Sequence, residues 1–223
     1  MDAFLDQFFN KEVMLKYLPD VVDGLWITLA LALMVIVTGV LLGLALACLR
    51  SFQIKIVNFL IVLFIDLFRA LPPLVIIIVG YFGLPYIGLQ FSGFAISWLC
   101  LSLVLAAFAE EIFWAGITSV NKGQWEAARS TGLGFSETLF YVVIPQAIRM
   151  TIPPLTNRTI AITKNTALAS VVAVQEMLTV AQTSLAYAAN TSPLTLAAIG
   201  YLLIFFPLVL ASRWVETRFA WKR

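Results

Sequence analysis

The sequence contains apolar runs that are too long and too free of charge for the core of a soluble domain. Residues 24–49 and 71–109 contain no charged side chain at all. About 20 apolar residues in a helix cross the roughly 30 Å hydrocarbon core of a membrane. The chain is 61% hydrophobic and 12% charged, whereas a soluble domain is about half apolar and a quarter charged. These features predict an all-α integral membrane protein.

The apolar runs divide into five predicted transmembrane helices. The run 71–109 is too long for one crossing, and the turn-forming residues of GLPYIGLQFSG at 83–93 divide it. The segment 1–23 precedes the first span, and its Phe4, Leu5, Phe8 and Phe9 recur at helical spacing. This segment is either a helix on the membrane surface or a plain hydrophilic lead-in. The five predicted spans cover about 24–49, 56–84, 94–117, 152–181 and 193–212.

The basic residues are distributed unequally between the two sides of the predicted membrane. Five spans put the termini on opposite sides, and the side of the C-terminus carries Arg50, Lys55, Lys122, Arg129, Arg149, Arg213, Arg218, Lys222 and Arg223. The other side has only Lys11 and Lys16. The positive-inside rule therefore predicts an extracytoplasmic N-terminus and a cytoplasmic basic tail at 213–223. It also puts the segment 122–145 in the cytoplasm.

Several classes of site are disfavoured by residue content. The chain has no histidine, the commonest metal ligand and general base, so we expect no metal site and no catalytic residue. The net charge of +2 is too small to predict a nucleic-acid partner. Cys48 and Cys100 lie inside apolar runs and are predicted to be small buried hydrophobic residues.

Two glycines in the first predicted span form a GxxxG pattern. Gly39 and Gly43 lie one helical turn apart, where the lack of side chains lets another helix approach closely. We expect close helix packing here, within the subunit or across a dimer.

The segment KGQWEAARSTGLGFSETLFYVVIP, residues 122–145, predicts two short helices separated by a turn. Residues 124–131 favour a helix. Gly132 and Gly134 can take the positive φ that ends a helix and redirects the chain. Ser136 is the predicted N-cap of the second helix, with Glu137 in its first turn.

The faces of this helical pair suit contact with another protein. The small side chains of Ala127, Ala128 and Ser130 would let a second surface approach the first helix. The second helix has an apolar stripe that Pro145 interrupts. The stripe consists of Leu139, Phe140, Val143 and Ile144.

The sequence EAARSTGLGFSETLFYVVIPQA resembles the EAA loop of binding-protein-dependent ABC importer permeases. The segments DGLWITLALAL, FRALPPLVII, AEEIFWAGI, IPPLTN and KNTALAS resemble successive landmarks of the polar amino acid branch, which includes histidine, glutamate, arginine and opine permeases. The resemblance extends over nearly the whole chain. It implies a type I ABC importer permease fold over residues 24–212 and a multi-pass protein of the bacterial inner membrane.

The resemblance also implies a function and a set of partners. The chain would be the permease subunit of an importer for polar amino acids or related zwitterions. Its EAA loop would dock on a cytoplasmic ATPase through Glu126, Ala127, Ala128, Gly132 and Pro145. Since the chain has no GxxxxGK[ST] motif, two separate ATPase subunits would use ATP and Mg, and this chain would hold no cofactor. A second permease, identical or homologous, and an extracytoplasmic amino-acid-binding protein would complete the assembly within the membrane lipid.

Charged residues inside the predicted spans should avoid lipid, because exposure there costs several kcal/mol, roughly 2.5–3.5 on insertion scales. Asp66 and Arg69 are three residues apart, so they either pair with each other or one acts in transport. Glu111 occupies the position of a Glu in similar permeases, and the tripeptide 164–166 is predicted to interrupt the fourth span. The substrate-path candidates are Arg69, Glu111, Asn157, Lys164 and Asn165, with helix packing as the alternative role.

Two other functions compete with the importer. An autonomous channel or ion-coupled transporter would have no use for the segment 122–145. A membrane-embedded enzyme would need a nucleophile, a base or a metal cluster, and the sequence offers no such pattern.

Overall fold

The computed structural model describes residues 2–219, and every regular element in that range is helical. Short 3₁₀ segments connect or continue some of the helices at Leu84–Ile87 and Lys164–Val172. The α-helices are α1 (Asp2–Phe9), α2 (Lys11–Ser51), α3 (Lys55–Ala70), α4 (Pro73–Gly83), α5 (Gly93–Ser119), α6 (Lys122–Ser130), α7 (Phe135–Thr138), α8 (Ile144–Thr163), α9 (Met177–Ala188) and α10 (Ser192–Phe219).

Three helices, α2, α5 and α10, are each long and apolar enough to cross a membrane. Two further spans are possible if each of two bent helix pairs counts as one, which gives three to five spans within residues 2–219. The first pair, α3 and α4, bends by 103°, and the second, from α7 through to α9, bends by 45°. The five predicted spans correspond to the upper limit of this range.

The α3–α4 bend follows from two consecutive prolines. Leu71 and Pro72 are extended, with ψ values of 137° and 134°. A residue before proline is disfavoured in the α region, and proline has no N–H to continue a helix. Pro73 then starts α4, where its missing N–H has no consequence. The second predicted span is therefore broken near its middle.

Helices α2 and α5 pack closely against each other at Gly39 and Gly43, the two glycines of the GxxxG pattern. A Cβ atom on Gly39 would lie 2.8 Å from Leu105 Cβ, and one on Gly43 would lie 2.5 Å from Ala109 Cβ. Such distances are shorter than a carbon–carbon contact, so only glycine fits at either position without a shift of the helices. The prediction of close packing is confirmed, and the contact lies within this subunit.

A buried polar cluster joins α2, α9 and α10. Glu176 is completely shielded from solvent and caps α9 by accepting a hydrogen bond from the Thr179 N–H at 2.7 Å. Tyr201 donates its hydroxyl to the same carboxylate at 2.5 Å. The Met177 N–H donates to Thr28 Oγ1 at 3.1 Å. Together these hydrogen bonds fix the chain where it leaves the 3₁₀ segment Lys164–Val172.

In the N-terminal segment residues 2–9 form α1 and residues 11–23 belong to α2, so the segment is helical, while its place on a membrane surface stays a prediction. The side chains of Phe4, Leu5, Phe8 and Phe9 are exposed. The helix is attached to the start of α10, because the Thr191 N–H donates to Gln7 O at 3.0 Å. The next helix, α2, begins well before the predicted span at 24, since Asn10 caps it by accepting from the Val13 N–H. At the other end, residues 220–223 of the predicted basic tail lie outside the described residues.

Candidate functional site

The first candidate site is the helical pair α6–α7. Asn121 begins α6 by accepting a hydrogen bond from the Gly123 N–H at 2.8 Å. The helix ends at Ser130, and Gly132 has φ +94°. Nothing lies within 4 Å of a Cβ built on Gly132, so backbone conformation, not crowding, selects glycine there. The predicted turn at Gly132 is confirmed.

The start of the second short helix differs from the prediction. The N-cap is Gly134, not Ser136, and Gly134 has an ordinary φ of −68°. Because the helix begins at Phe135, Glu137 is its third residue. Its carboxylate folds back to accept a hydrogen bond from the Gly134 N–H at 2.8 Å, which is half of a capping box. A glycine N-cap is adequate when that bond is present.

The apolar stripe of this helix is also only partly as predicted. Leu139, Val143 and Ile144 are buried, but Phe140 is 50% exposed. Residues 139–143 form a π-helical turn, which holds more residues per turn than an α-helix and rotates the following side chains. Phe140 lies within this turn and does not share the burial of the other three stripe residues.

The pair is fixed to the membrane helices on one side. Leu139, Val143 and Ile144 belong to a buried cluster with Ala47 and Phe113. The rings of Trp125 and Phe135 also stack, with centroids 5.5 Å apart. Trp125 of α6 and Phe135 of α7 pack against the same cluster, so the pair is in contact with α2 and α5.

Four of the five predicted coupling residues are accessible. Glu126, Ala127, Gly132 and Pro145 are exposed, whereas Ala128 is 8% exposed. Ala128 faces the chain's own interior, so it does not contribute to the small-residue surface predicted for a partner. Its small size instead lets α6 lie close to the rest of the chain.

The second candidate site is a set of charged side chains on the predicted membrane helices, here called the charged layer. Arg69, on the last turn of α3, donates to Glu111 on α5 at 2.5 Å. The predicted alternative of an Asp66–Arg69 pair is wrong, because Arg69 bonds across the helix interface to the longer Glu111 side chain. The side chains of Arg69 and Glu111 remain 34% and 48% exposed in the single subunit.

A further charged pair connects α2 with α5. Arg50 donates to both carboxylate oxygens of Glu110, at 3.2 and 3.3 Å. The Arg50 guanidinium also lies 4.6 Å from the centre of the Trp114 ring. Arg50 was expected only as one of the basic residues on the side of the C-terminus, and its pairing with Glu110 was not predicted.

The remaining substrate-path candidates lie on or near another face of the layer, towards α10. Asn157 donates its side-chain amide to Glu216. Lys164 Nζ lies 5.9 Å from the centre of the Phe205 ring. Asn165 is half-buried in the 3₁₀ segment that begins at Lys164, so the predicted interruption of the span is confirmed. The structure therefore brings Arg69 and Glu111 together, while Asn157 and Lys164 each contact α10 instead.

The described part of the chain contains no cluster of three potential metal ligands among His, Cys, Asp and Glu. Cys48 and Cys100 are both free thiols. The exposed residues of α6–α7 can make contacts with another protein, and the charged layer supplies charge-assisted hydrogen bonds.

Comparisons with known proteins agree on one family for this chain. Residues 39–221 match the family described as "Binding-protein-dependent transport system inner membrane component". The chain is 36% identical to the probable glutamine ABC transporter permease protein GlnP of Bacillus subtilis (strain 168), over 88% of this chain and 92% of that one. It is 32% identical to the probable glutamine ABC transporter permease protein GlnM of the same organism, over 94% and 97%.

A solved structure supports the same fold. It is described as the crystal structure of an amino acid ABC transporter with histidines, and it is 31% identical to this chain. The two structures superpose with a TM-score of 0.82 over 92% of this chain and 96% of the other. The described helices therefore have the arrangement of a type I ABC importer permease.

Proposed function

Because the chain belongs to the family of binding-protein-dependent transport system inner membrane components, we propose how its two candidate sites serve amino-acid import. The chain is a multi-pass membrane permease subunit of an ATP-driven importer for polar amino acids or related small zwitterions. It is not itself an enzyme, since the ATPase is a separate chain. The family match and the amino-acid permeases among its relatives favour this function over a channel, a secondary transporter or a membrane enzyme.

The α6–α7 pair is proposed as the surface that receives the ATPase. One observation carries this assignment: the segment 122–145 that contains the pair is exposed at Glu126, Ala127, Gly132 and Pro145, yet it is packed through Leu139 into the buried cluster of the spans. A surface that is exposed on one side and packed against the spans on the other can transmit movement from a bound protein to the membrane helices. A linker would need neither property.

The orientation and assembly are part of the same proposal. Five spans with an extracytoplasmic N-terminus put α6–α7 in the cytoplasm, where ATP is available, and the excess of basic residues on that side supports this orientation. Two ATPase subunits, using ATP and Mg, would lie beneath a pair of permeases in the bacterial inner membrane. An extracytoplasmic binding protein would deliver the amino acid.

The charged layer is proposed as part of the translocation path. Arg69 and Glu111 are partly exposed in the single subunit, next to the α3–α4 bend. Charged groups on membrane-spanning helices are costly against lipid and commonly face a water-filled cavity. Asn157, Lys164 and Asn165 lie near the break after α8, and broken helices in transporters offer backbone groups to substrates. Helix packing remains the competing role for the pairs that are bonded within the chain.

The proposal is tested by reconstituting the purified permease in proteoliposomes with its ATPase and binding protein. Amino-acid uptake should require ATP, the ATPase subunit and the binding protein together. Uptake that continues without the ATPase, or that follows an imposed ion gradient, would contradict the proposal and favour an autonomous transporter. A catalytically inactive ATPase is the matched control, because it assembles but supplies no energy.

A further inference from the structure

One guanidinium in the charged layer has no carboxylate partner. Arg158 is exposed on α8, and its Cζ lies 3.9 Å from the centre of the Phe108 ring on α5. Among residues 2–219, the two ion pairs use Arg50 and Arg69, and neither includes Arg158. Its contact with Phe108 is a cation–π interaction, which attracts the cation without neutralising it.

The neighbouring arginine makes the imbalance clearer. Arg69 approaches the same Phe108 ring, with its Cζ 5.4 Å from the ring centre, but its charge is compensated by Glu111 at 2.5 Å. Asp66 is exposed on α3 and takes part in neither of the ion pairs of the described residues. The guanidiniums of Arg69 and Arg158 both lie over the Phe108 ring, and of these two only Arg69 forms one of the ion pairs of the described residues.

The position of Arg158 limits what its free donors can contact. Phe108 and Glu111 lie near the middle of α5, and Arg158 is on the last turns of α8 before the 3₁₀ segment. Arg158 is exposed on a helix that belongs to a predicted span, and a charged side chain there is costly against lipid. The surface that carries Arg158 should therefore face an aqueous cavity.

The stacking on Phe108 leaves the N–H groups of Arg158 free to donate hydrogen bonds. At 3.9 Å the guanidinium lies over the ring face, so its N–H groups can still point outward. Arginine presents these donors as a planar fork that matches a carboxylate with two parallel hydrogen bonds. Phe108 limits the rotamers of the side chain, which lowers the entropy lost when an anion binds.

We propose that Arg158 is the carboxylate-binding group of the translocation path and that Phe108 is its positioning residue. This inference rests on the proposed function, because it requires an amino-acid substrate to pass through the cavity. The carboxylate has two possible sources: the α-carboxylate that every amino acid carries, and the side-chain carboxylate of an acidic amino acid. The bound chemistry is the same in both cases.

The test compares Arg158→Gln, Arg158→Lys and Arg149→Gln in the full complex in proteoliposomes. Arg149 is the matched control, because it is an exposed arginine near the start of the same helix. Uptake kinetics are measured for each of L-glutamate, L-glutamine and L-arginine that the wild type transports, together with ATP hydrolysis stimulated by the binding protein. Loss of one charged hydrogen bond should lower kcat/KM for uptake by about tenfold or more in Arg158→Gln. Arg158→Lys should lose less, and Arg149→Gln should match the wild type.

The pattern across substrates identifies the carboxylate. An equal loss for all transported amino acids assigns Arg158 to the α-carboxylate, and a loss confined to L-glutamate assigns it to the acidic side chain. Phe108→Leu should weaken uptake less than Arg158→Gln and in the same substrate order, since it loosens the arginine without removing it.

Two results would overturn the proposal. In the first, Arg158→Gln assembles and transports every substrate with wild-type kinetics. In the second, Arg158→Gln no longer assembles with the ATPase and second permease, which would make Arg158 a structural residue. A wild-type complex that neither hydrolyses ATP nor takes up amino acids is a different failure, because it contradicts the proposed function itself.

Discussion

The guanidinium of Arg50, at the end of α2, lies 3.2 Å from the carboxylate of Glu110 in α5, and that carboxylate is completely shielded from solvent. This pair connects two spans that also touch through glycine contacts, next to the cluster against which α6–α7 packs. The Arg50–Glu110 pair therefore lies where movement of α6–α7 would be passed to α2 and α5.

The first prediction concerns the stability contributed by this pair. Arg50→Met leaves a buried carboxylate without a counter-charge, and removing one partner of a buried pair typically costs about 3–5 kcal/mol. We expect the detergent-solubilised subunit to unfold at a clearly lower temperature. The double variant Arg50→Met/Glu110→Leu should recover much of the loss, because it removes the stranded charge. Equal melting temperatures for wild type, single and double variants would contradict a structural role.

The second prediction concerns the contact between α2 and α5. Gly43→Ala introduces a Cβ 2.5 Å from Ala109 Cβ, so the two helices must separate. Overpacking of this kind costs about 1–3 kcal/mol, measurable as a lower melting temperature. Gly83→Ala is the matched control, since its Cβ would meet nothing closer than 3.8 Å. Equal effects of the two substitutions would show that the close approach is not needed for stability.

The third prediction concerns orientation. A reporter fused after Arg223 should be active only in the cytoplasm, and a reporter inserted at Gln90, between α4 and α5, should be active only outside. The physical reason is the excess of arginine and lysine on the side of the C-terminus. Periplasmic activity of the C-terminal fusion would contradict the five-span topology.

The fourth prediction concerns Lys164, at the break after α8. Lys164→Met keeps the length of the side chain and removes its charge, so membrane insertion and assembly with the ATPase should be unchanged. If the ammonium group contacts substrate, uptake should fall by about tenfold, the effect of losing a charged hydrogen bond. Lys55→Met, at the start of α3, is the control. A normal rate with unchanged apparent affinity would assign Lys164 to structure.

Some features were predictable because they follow from short-range chemistry. Charge-free runs locate the apolar helices, and Gly132 ends α6 because few other residues adopt φ +94°. The α3–α4 bend has an equally local cause in Pro72 and Pro73. These features need no knowledge of what the rest of the chain is doing.

The pairing of charges was not predictable in the same way. Arg69 had a candidate partner three residues away, but its partner is Glu111, which approaches from another helix. Which carboxylate pairs with Arg69 depends on how α3 and α5 pack, and a single sequence does not give the distance between these helices. The π-helical turn at 139–143, which contains the exposed Phe140, was not predicted either, because the spacing of apolar residues gives no signal for it.

The most direct test of the account concerns Gly132, because the central claim is that α6–α7 couples ATP hydrolysis to transport. A side chain at φ +94° is strained, and more so when it is β-branched. Gly132→Ser and Gly132→Val should therefore misdirect the second short helix to increasing degrees. Gly134→Ser is the matched control, because Gly134 has φ −68° and serine is a good N-cap there.

The measurement is the ratio of amino acid imported to ATP hydrolysed in proteoliposomes that contain all subunits. We expect Gly132→Val to insert normally but to import at least about tenfold less, either because the ATPase detaches or because hydrolysis continues without uptake. Gly132→Ser should be intermediate, and Gly134→Ser should match the wild type. A Gly132→Val complex that retains its full complement of ATPase and imports at the wild-type ratio and rate would contradict the claim, and α6–α7 would then be only a linker.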